Sequence, residues 1–336
     1  YTPMNQLKNT RAQQQGAALI IVLFIVALAA VIAAEMATNL MIQVQRAQNI
    51  QTHQQAKWYS YGAEELVKKV LIESKKKDPD KVHLGQPWAL EETPFPVDHG
   101  TLSGKVTDLQ ACLNLNALRK PKAQNASTND TNPAHKAFLE LLKNIEDLPA
   151  QESEEALADG VYDWLDSDSI TFRSGAEEDE YMSQRTPYLT ANNYFASVSE
   201  LRVIRGFNPL VMEKLLPYVC VIPGSEELKI NVNTIQPEQA LLISALIDGL
   251  SESDAQSIIS SRPEQGYDKV EDFLSEATAQ GAQNINQVTD LFTVNSDYFK
   301  LRAKAMFDER LFTMTSIIQI KQGQASILAR KFGGVQ

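Results

Sequence analysis

The chain has 336 residues and a net charge of −11, with 43 % apolar and 22 % charged residues. This is ordinary globular composition, long enough for about two domains, but too acidic for a general nucleic-acid binder, which needs a basic footprint. Two cysteines, Cys112 and Cys220, and four scattered histidines, His53, His83, His99 and His135, match no zinc-site spacing, and the histidines read as surface or loop residues.

Residues 1–16 carry Lys8 and Arg11 and no acid. The next 18 residues, Ala17 to Ala34, are uncharged (AALIIVLFIVALAAVIAA). As a helix they extend about 27 Å, enough to reach across a bilayer's hydrocarbon core. The positive-inside rule puts residues 1–16 in the cytoplasm and everything after about Asn39 on the far side. A cleaved signal peptide is the competing reading. Against it, the apolar run exceeds the usual h-region of about 7–15 residues. No proline occurs between Pro3 and Pro79, so one helix is expected over 17–75, with its membrane part at 17–37. Leu40, Val44, Trp58, Leu66, Val70 and Leu71 give its outer half one apolar face.

From Asp78 to His99 the chain is rich in Pro and Gly and reads as turns. TLSGKVTDLQACLNLNAL then reads as a strand pair leading into Cys112, so a β region is expected over 76–112. Arg119 to Thr131 is polar and reads as an exposed loop, and its two N-x-S/T sequons, Asn125 and Asn129, are loop composition. Residues 132–275 read as mainly helical, in segments such as HKAFLELLKNI, EEALADGVYDWL and SESDAQSIISSR. LNLNAL at 113–118 recurs as INVNTI at 230–235, each followed by helices of similar pattern, which points to a duplicated helical unit. A helical domain is therefore expected over 113–285, in two units at about 113–220 and 225–285. Three strands follow, Tyr298 to Phe307, Arg310 to Lys321 and Ala325 to Phe332, with Gln322-Gly323 as a hairpin turn, inside a C-terminal β region over 286–336. The fold class is α+β.

Between Gln151 and Glu180 stand eleven acids and one base, Arg173. Such a cluster repels itself unless solvated or neutralised. Asp166-x-Asp168 spaces two carboxylates as calcium loops do, Ser174-Gly175 permits a turn, and Glu177, Glu178 and Asp179 return toward the first pair. Calcium takes hard oxygen ligands at about 2.3–2.6 Å, although the EF-hand spacing is absent. Two readings stay open. One is a calcium site formed by Asp166, Asp168, Glu177 and Glu178, with Asp163 and Asp179 as further candidates. The other is a solvated acidic face. A glycosidase carboxylate pair would need an aromatic-lined cleft, and only Trp164, Tyr181 and Tyr188 are near in sequence. No Ser/His/Asp, Walker or Rossmann motif is present, so the chain is not expected to be an enzyme. Cys112 and Cys220 lie beyond the membrane segment, in an oxidising compartment on this topology, and each precedes one copy of the N-[LV]-N motif. A disulfide is expected, with two buried thiols as the alternative.

A basic leader ending in Gly16, then a long helix apolar in its first half, resembles the N-terminus of type IV pilins and pseudopilins. The resemblance implies cutting between Gly16 and Ala17 by a prepilin peptidase, with methylation of the new terminus. Most members carry Glu at the fifth mature position. Here it is Ile21, a departure shared by the K-type minor pseudopilins of type II secretion and suited to the end of a filament. DLQACLNLNAL, DWLDSDS…SGAEEDEYMS, SVSELRVIRGF, KLLPYVCVIPG, KINVNT and NSDYFKLRA are similar to that family across nearly the whole chain. The resemblance implies a pilin-like fold with a large inserted helical domain of two SAM-like units. It implies a single-pass inner-membrane subunit with its bulk in the periplasm, at the pseudopilus tip, initiating or capping assembly. The implied partners are the I- and J-type minor pseudopilins, with H- and G-type pseudopilins as further candidates. It also implies structural calcium in the insertion, at the acids named above. One rival remains: KINVNT and DGLSESDAQSIISSRPEQGYDKVEDFL resemble the helix-hairpin-helix unit of membrane-anchored DNA receptors. There the hairpin amides meet phosphate. Here Asp248-Gly249-Leu250-Ser251-Glu252-Ser253-Asp254 would present three acids, so a protein-interaction scaffold is the preferred reading.

Overall fold

With no proline in the way, the first helix, α1 (Gln14–Lys77), runs without a break. The computed structural model describes residues 14–90, 92–98, 100–119, 132–307 and 310–333. Lys8 and Arg11 of the leader, His99 and the sequons at Asn125 and Asn129 lie outside the described residues. The chain divides into two units, residues 1–58 and 59–336. In the first, the uncharged stretch from Ala17 is long and apolar enough to cross a membrane, and Ile21 is 58 % exposed within the chain.

The second unit contains a five-stranded antiparallel sheet in the order β1-β2-β7-β8-β9. Its strands are β1 (Phe95–Val97), β2 (Gly100–Asp108), β7 (Tyr298–Phe307), β8 (Arg310–Lys321) and β9 (Gln324–Phe332). Alternation sets its faces. Phe299, Leu301, Ala303 and Ala305 are buried, while Lys300, Arg302 and Lys304 between them are partly exposed. The buried face forms a core with Leu71 of α1, Val82, Trp88, Ile318 and Ile320. Gln322 and Gly323 both take positive φ, 53° and 75°, the primed-turn geometry that matches strand twist.

The expected strand pair after Thr101 does not form. β2 is one strand, and it pairs with β7. It ends at Asp108, whose buried carboxylate accepts the Gln110 N–H at 2.7 Å and turns the chain away. The next strand, β3 (Leu113–Asn114), is only two residues long and runs parallel to β4 (Val219–Cys220). A second short parallel pair joins β5 (Ile230–Asn231) to β6 (Phe292–Thr293).

Between β2 and β7 lie the remaining described α-helices: α2 (Pro133–Asn144), α3 (Glu154–Leu165), α4 (Glu178–Met182), α5 (Pro209–Leu215), α6 (Ala240–Leu246), α7 (Glu252–Ser261), α8 (Val270–Ala279) and α9 (Ile285–Val288). They enclose one apolar core, from Leu113 through Phe138, Leu157 and Leu215 to Ile243 and Phe273. The two N-x-N motifs do the same work in it. Asn116 brackets Phe195, accepting its N–H at 2.8 Å and donating to its carbonyl at 3.1 Å. Asn233 does the same to Tyr267, at 2.7 and 2.9 Å. Both asparagines are fully buried, where an amide must find partners. Cys112 and Cys220 form a disulfide across a sequence separation of 108 residues.

One ion pair ties the last strand back to α1. Glu64 is buried and accepts Arg330 Nε at 2.9 Å, Arg330 Nη2 at 2.8 Å and the Ser316 hydroxyl at 2.5 Å. Burial alone would raise its pKa, but Arg330 and the Ser316 hydroxyl outweigh burial and hold it below 4.5. A carboxylate with a lowered folded pKa stabilises above its unfolded value and loses that contribution as the pH falls through the folded one. Glu64→Gln should therefore cost stability at neutral pH, and the deficit should shrink steadily below about pH 4.5. Arg330→Met should cost about 2–3 kcal/mol, below the usual range for breaking a buried pair because Arg330 is partly exposed. Denaturant melts at pH 7 and pH 3 test both, and a deficit independent of pH would reject the assignment.

Candidate metal centre

Ser153 starts α3, its side chain accepting the Ala156 N–H at 3.2 Å. The helix then carries Asp159 and Asp163 four residues apart, one turn along the same face, 2 % and 0 % exposed. Charged side chains are almost never buried unless paired, so each should have partners. Asp159 accepts the Ser174 N–H at 3.2 Å and meets His135 Nε2 at 2.9 Å. Asp163 accepts the Phe172 N–H on both oxygens, at 3.1 and 3.2 Å. The loop after α3 is thereby folded back over the helix. Gly175 allows this approach, because a Cβ there would collide with the Asp163 carboxylate.

Asp166 ends α3, and its Oδ1 accepts the Asp168 N–H at 3.3 Å. Asp168 in turn accepts the Ile170 N–H at 2.9 Å, a local turn. Glu177 stands at the start of α4 but does not cap it. Its Oε2 accepts the Thr190 hydroxyl at 3.2 Å, while its Oε1 is buried with no hydrogen-bond partner. Carboxylate oxygens of Asp163, Asp166 and Glu177 lie within 4.8 Å of one another. Asp168, Glu178 and Asp179 are not part of this group.

Some of the other acids have partners that local sequence does not reveal. Glu155 meets Lys143 at 3.4 Å, and Glu152 and Glu180 meet Arg205 at 3.5 and 3.6 Å. His135, read as a surface residue, is instead buried against Asp159. His83, likewise expected at the surface, is buried and lies 3.5 Å from Asp78. The trio stays electrostatically unfavourable. Burial, and then the charges of Glu177, Asp166 and Asp159, push Asp163 up to about 8 despite the Phe172 N–H. Burial and Asp168 push Asp166 up to about 7, and burial raises Glu177. Three converging carboxylates with one orphaned oxygen fit a divalent cation with hard oxygen preference. Two oxygens bound to one calcium at about 2.3–2.6 Å can be about 5 Å apart at most, and the trio satisfies that limit.

Trp164, Tyr181 and Tyr188 do not line a sugar cleft. Trp164 and Tyr181 are core residues, with rings 5.5 Å apart, and Tyr188 packs 5.2 Å from Tyr181. The 248–254 hairpin uses its polar groups internally. Ser251 caps α7 by accepting the Asp254 N–H at 3.1 Å, and Asp248 accepts from Asn284 at 3.2 Å.

Comparison with known proteins is consistent over most of the chain. The family described as type II secretion system (T2SS), protein K matches residues 111–224 and, in a second part, 230–295. The type II secretion system protein K of Aeromonas hydrophila is 38 % identical, over 96 % of this chain and 98 % of that one. That of Klebsiella pneumoniae is 33 % identical, over 96 % and 97 %. Among solved structures, a chain of the GspK-GspI-GspJ complex from the enterotoxigenic Escherichia coli type 2 secretion system superposes with a TM-score of 0.76. It is 30 % identical, covering 86 % of this chain and all of that one. None of these relatives supports the helix-hairpin-helix reading.

Proposed function

This chain belongs to the type II secretion system protein K family, the minor pseudopilins, and from that premise we propose that it initiates or caps the secretion pseudopilus from its tip. The observation that carries the reading is the position of the helical body. It is inserted between two hydrogen-bonded neighbours of the sheet, β2 and β7. A body of this bulk on a pilin-like head obstructs a further subunit stacked above it. Ile21 supports the same placement, since it cannot neutralise a neighbouring subunit's terminal amine as Glu would. The chain is anchored once in the inner membrane, is cut between Gly16 and Ala17, and holds its bulk in the periplasm with the I- and J-type minor pseudopilins. Asp163, Asp166 and Glu177 bind calcium, which supplies the counter-charge that their packing lacks, while Asp168, Glu178 and Asp179 stand nearby in sequence but outside the trio.

Labelling this chain on isolated pseudopili should mark filament ends alone. Ile21→Glu should be tolerated or mildly harmful, because a carboxylate without an amine partner is costly in the bilayer. Label at regular intervals along the filaments would overturn the tip placement, and N-terminal sequencing that did not begin at Ala17 would overturn the cleavage.

A further inference from the structure

We propose that the free edge of β2 receives an extended acidic segment of a partner protein as an added strand. β1 covers only Gly100–Leu102 of β2. From Ser103 to Asp108, no described strand pairs with the outer side. An uncovered edge presents unpaired amides and carbonyls, which is the template for strand addition. Charged side chains commonly blunt such an edge, and Lys105 stands on this one, but a cleft of about 730 Å³ runs beside it. Trp88 and Leu216 supply apolar wall, and Lys105, Thr107 and Lys300 line the β2 side.

The charge of the cleft selects the occupant. Lys105 stands directly opposite Arg302 in the β2–β7 register, and like charges at such positions repel. Lys300 is next along β7 on the same face. Burial, then Arg302 and Lys105, depress its pKa. Among the described residues, none of these three has a carboxylate partner at ion-pair distance. Lys304 is the exception on this face, paired with Glu92 at 3.0 Å. Glu238 lies exposed on the rim. Among the described residues, Lys105 and Lys300 thus line the cleft without an ion-pair partner, with Arg302 beside them on the same face. Of the acids that also line it, Glu92 is taken by Lys304, and Asp108 is buried and hydrogen-bonded within the chain, whose net charge is −11. That net charge disfavours a polyanionic duplex or an anionic bilayer, whereas a short acidic segment meets only the local cations. The site lies outside the acidic loop and does not depend on the tip placement.

The test uses the full chain in neutral detergent and a fluorescein-labelled decapeptide of alternating valine and glutamate. Binding should saturate and weaken with salt. Replacing glutamate by glutamine, or N-methylating alternate peptide amides, should each weaken it at least tenfold. Lys300→Met, which keeps the stem, should weaken it at least fivefold, and Lys300→Arg should restore it. Equal affinity for the N-methylated peptide would rule out strand addition, and equal affinity for the glutamine peptide would rule out acidic selection. Unsaturable binding, or tighter association with phosphatidylglycerol vesicles or duplex DNA, would overturn the proposal as a whole.

Discussion

Stripping divalent metal from the detergent-solubilised chain with a chelator is expected to lower its melting temperature by about 5–10 °C, and calcium should restore it. The size follows from linkage. A ligand at about a hundred times its Kd stabilises the folded state by about 2.7 kcal/mol, and each kcal/mol moves the melting point of a large domain by about 2–4 °C. Magnesium should restore it poorly, because it prefers an octahedral shell at about 2.0–2.1 Å and gives up its waters reluctantly. The residue-level test is Asp163→Asn with Asp166→Asn. Asparagine keeps the shape and can still accept the Phe172 N–H that holds the loop. The pair should leave the metal-free melt nearly unchanged while abolishing the calcium response. Gly175→Ala should also abolish the calcium response, since its methyl would displace the Asp163 carboxylate, but with a lower metal-free melt, because the methyl also presses on the Asp159 backbone carbonyl. Asp179→Ala, outside the trio, should respond to calcium as the parent chain does. If chelator leaves both melting and protease resistance of residues 151–190 unchanged, the trio holds no ion of consequence.

The strands from Tyr298 onward are legible because β7 alternates along its ten residues, β8 is rich in β-branched residues, and the hairpin to β9 carries a Gln-Gly turn. The repeat was legible as a motif, though not as a mechanism. Sequence shows N-x-N twice, whereas only the structure shows each second asparagine bracketing an aromatic residue far along the chain. The strand pair after Thr101 failed for a physical reason. Its second half is a two-residue strand whose partner, Val219-Cys220, lies about a hundred residues away, beyond any local pattern.

At the acidic loop, two-residue spacing drew attention to Asp166 and Asp168, and Asp163 stood second to them. Two of the three converging acids, Asp166 and Glu177, belong to the set the spacing favours, and helical periodicity marks the third, Asp163. Asp159 and Asp163 sit on the inward face of EEALADGVYDWL, and a carboxylate there demands a partner. Asp168 is exposed and stands outside the converging trio. The apparent excess of eleven acids over one base was also a local view, because Lys143, Arg205 and His135 reach in from outside the window. Those pairings leave Glu154, Asp168, Glu178 and Asp179 as well as the trio, and among the described residues it is the trio that converges.

Removing the Cys112–Cys220 bridge should have the other large effect, a fall of about 10–15 °C in melting temperature. In the chain-entropy view, a bridge closing a loop of about a hundred residues stabilises by about 4.7 kcal/mol, through the unfolded state it constrains. The sequence separation here is 108 residues. Cys220 packs with Leu109 and Ile222, so replacement by serine would add the cost of a buried hydroxyl to the loss of the bridge. Cys112→Ala with Cys220→Ala is the cleaner variant, and reduction of the parent chain should match it. The two ends of the fold should respond differently. The sheet has its own core around Leu71, Phe299, Leu301 and Ile318, with the Glu64–Arg330 pair beside it, and contains neither cysteine. The helical body depends more on the bridge, since the segments it joins are otherwise held by the two-residue β3–β4 pair and by the Asn114 and Asn116 side chains, which bond to Ile222, Ser225 and Glu227. Limited proteolysis of the double variant should therefore cut first within 113–285 and leave the β7–β9 strands protected. Loss of sheet and helical body together, at the same temperature, would instead mean that they unfold as one unit. Full reaction of both thiols in the unreduced, denatured parent chain would remove the bridge from the argument entirely.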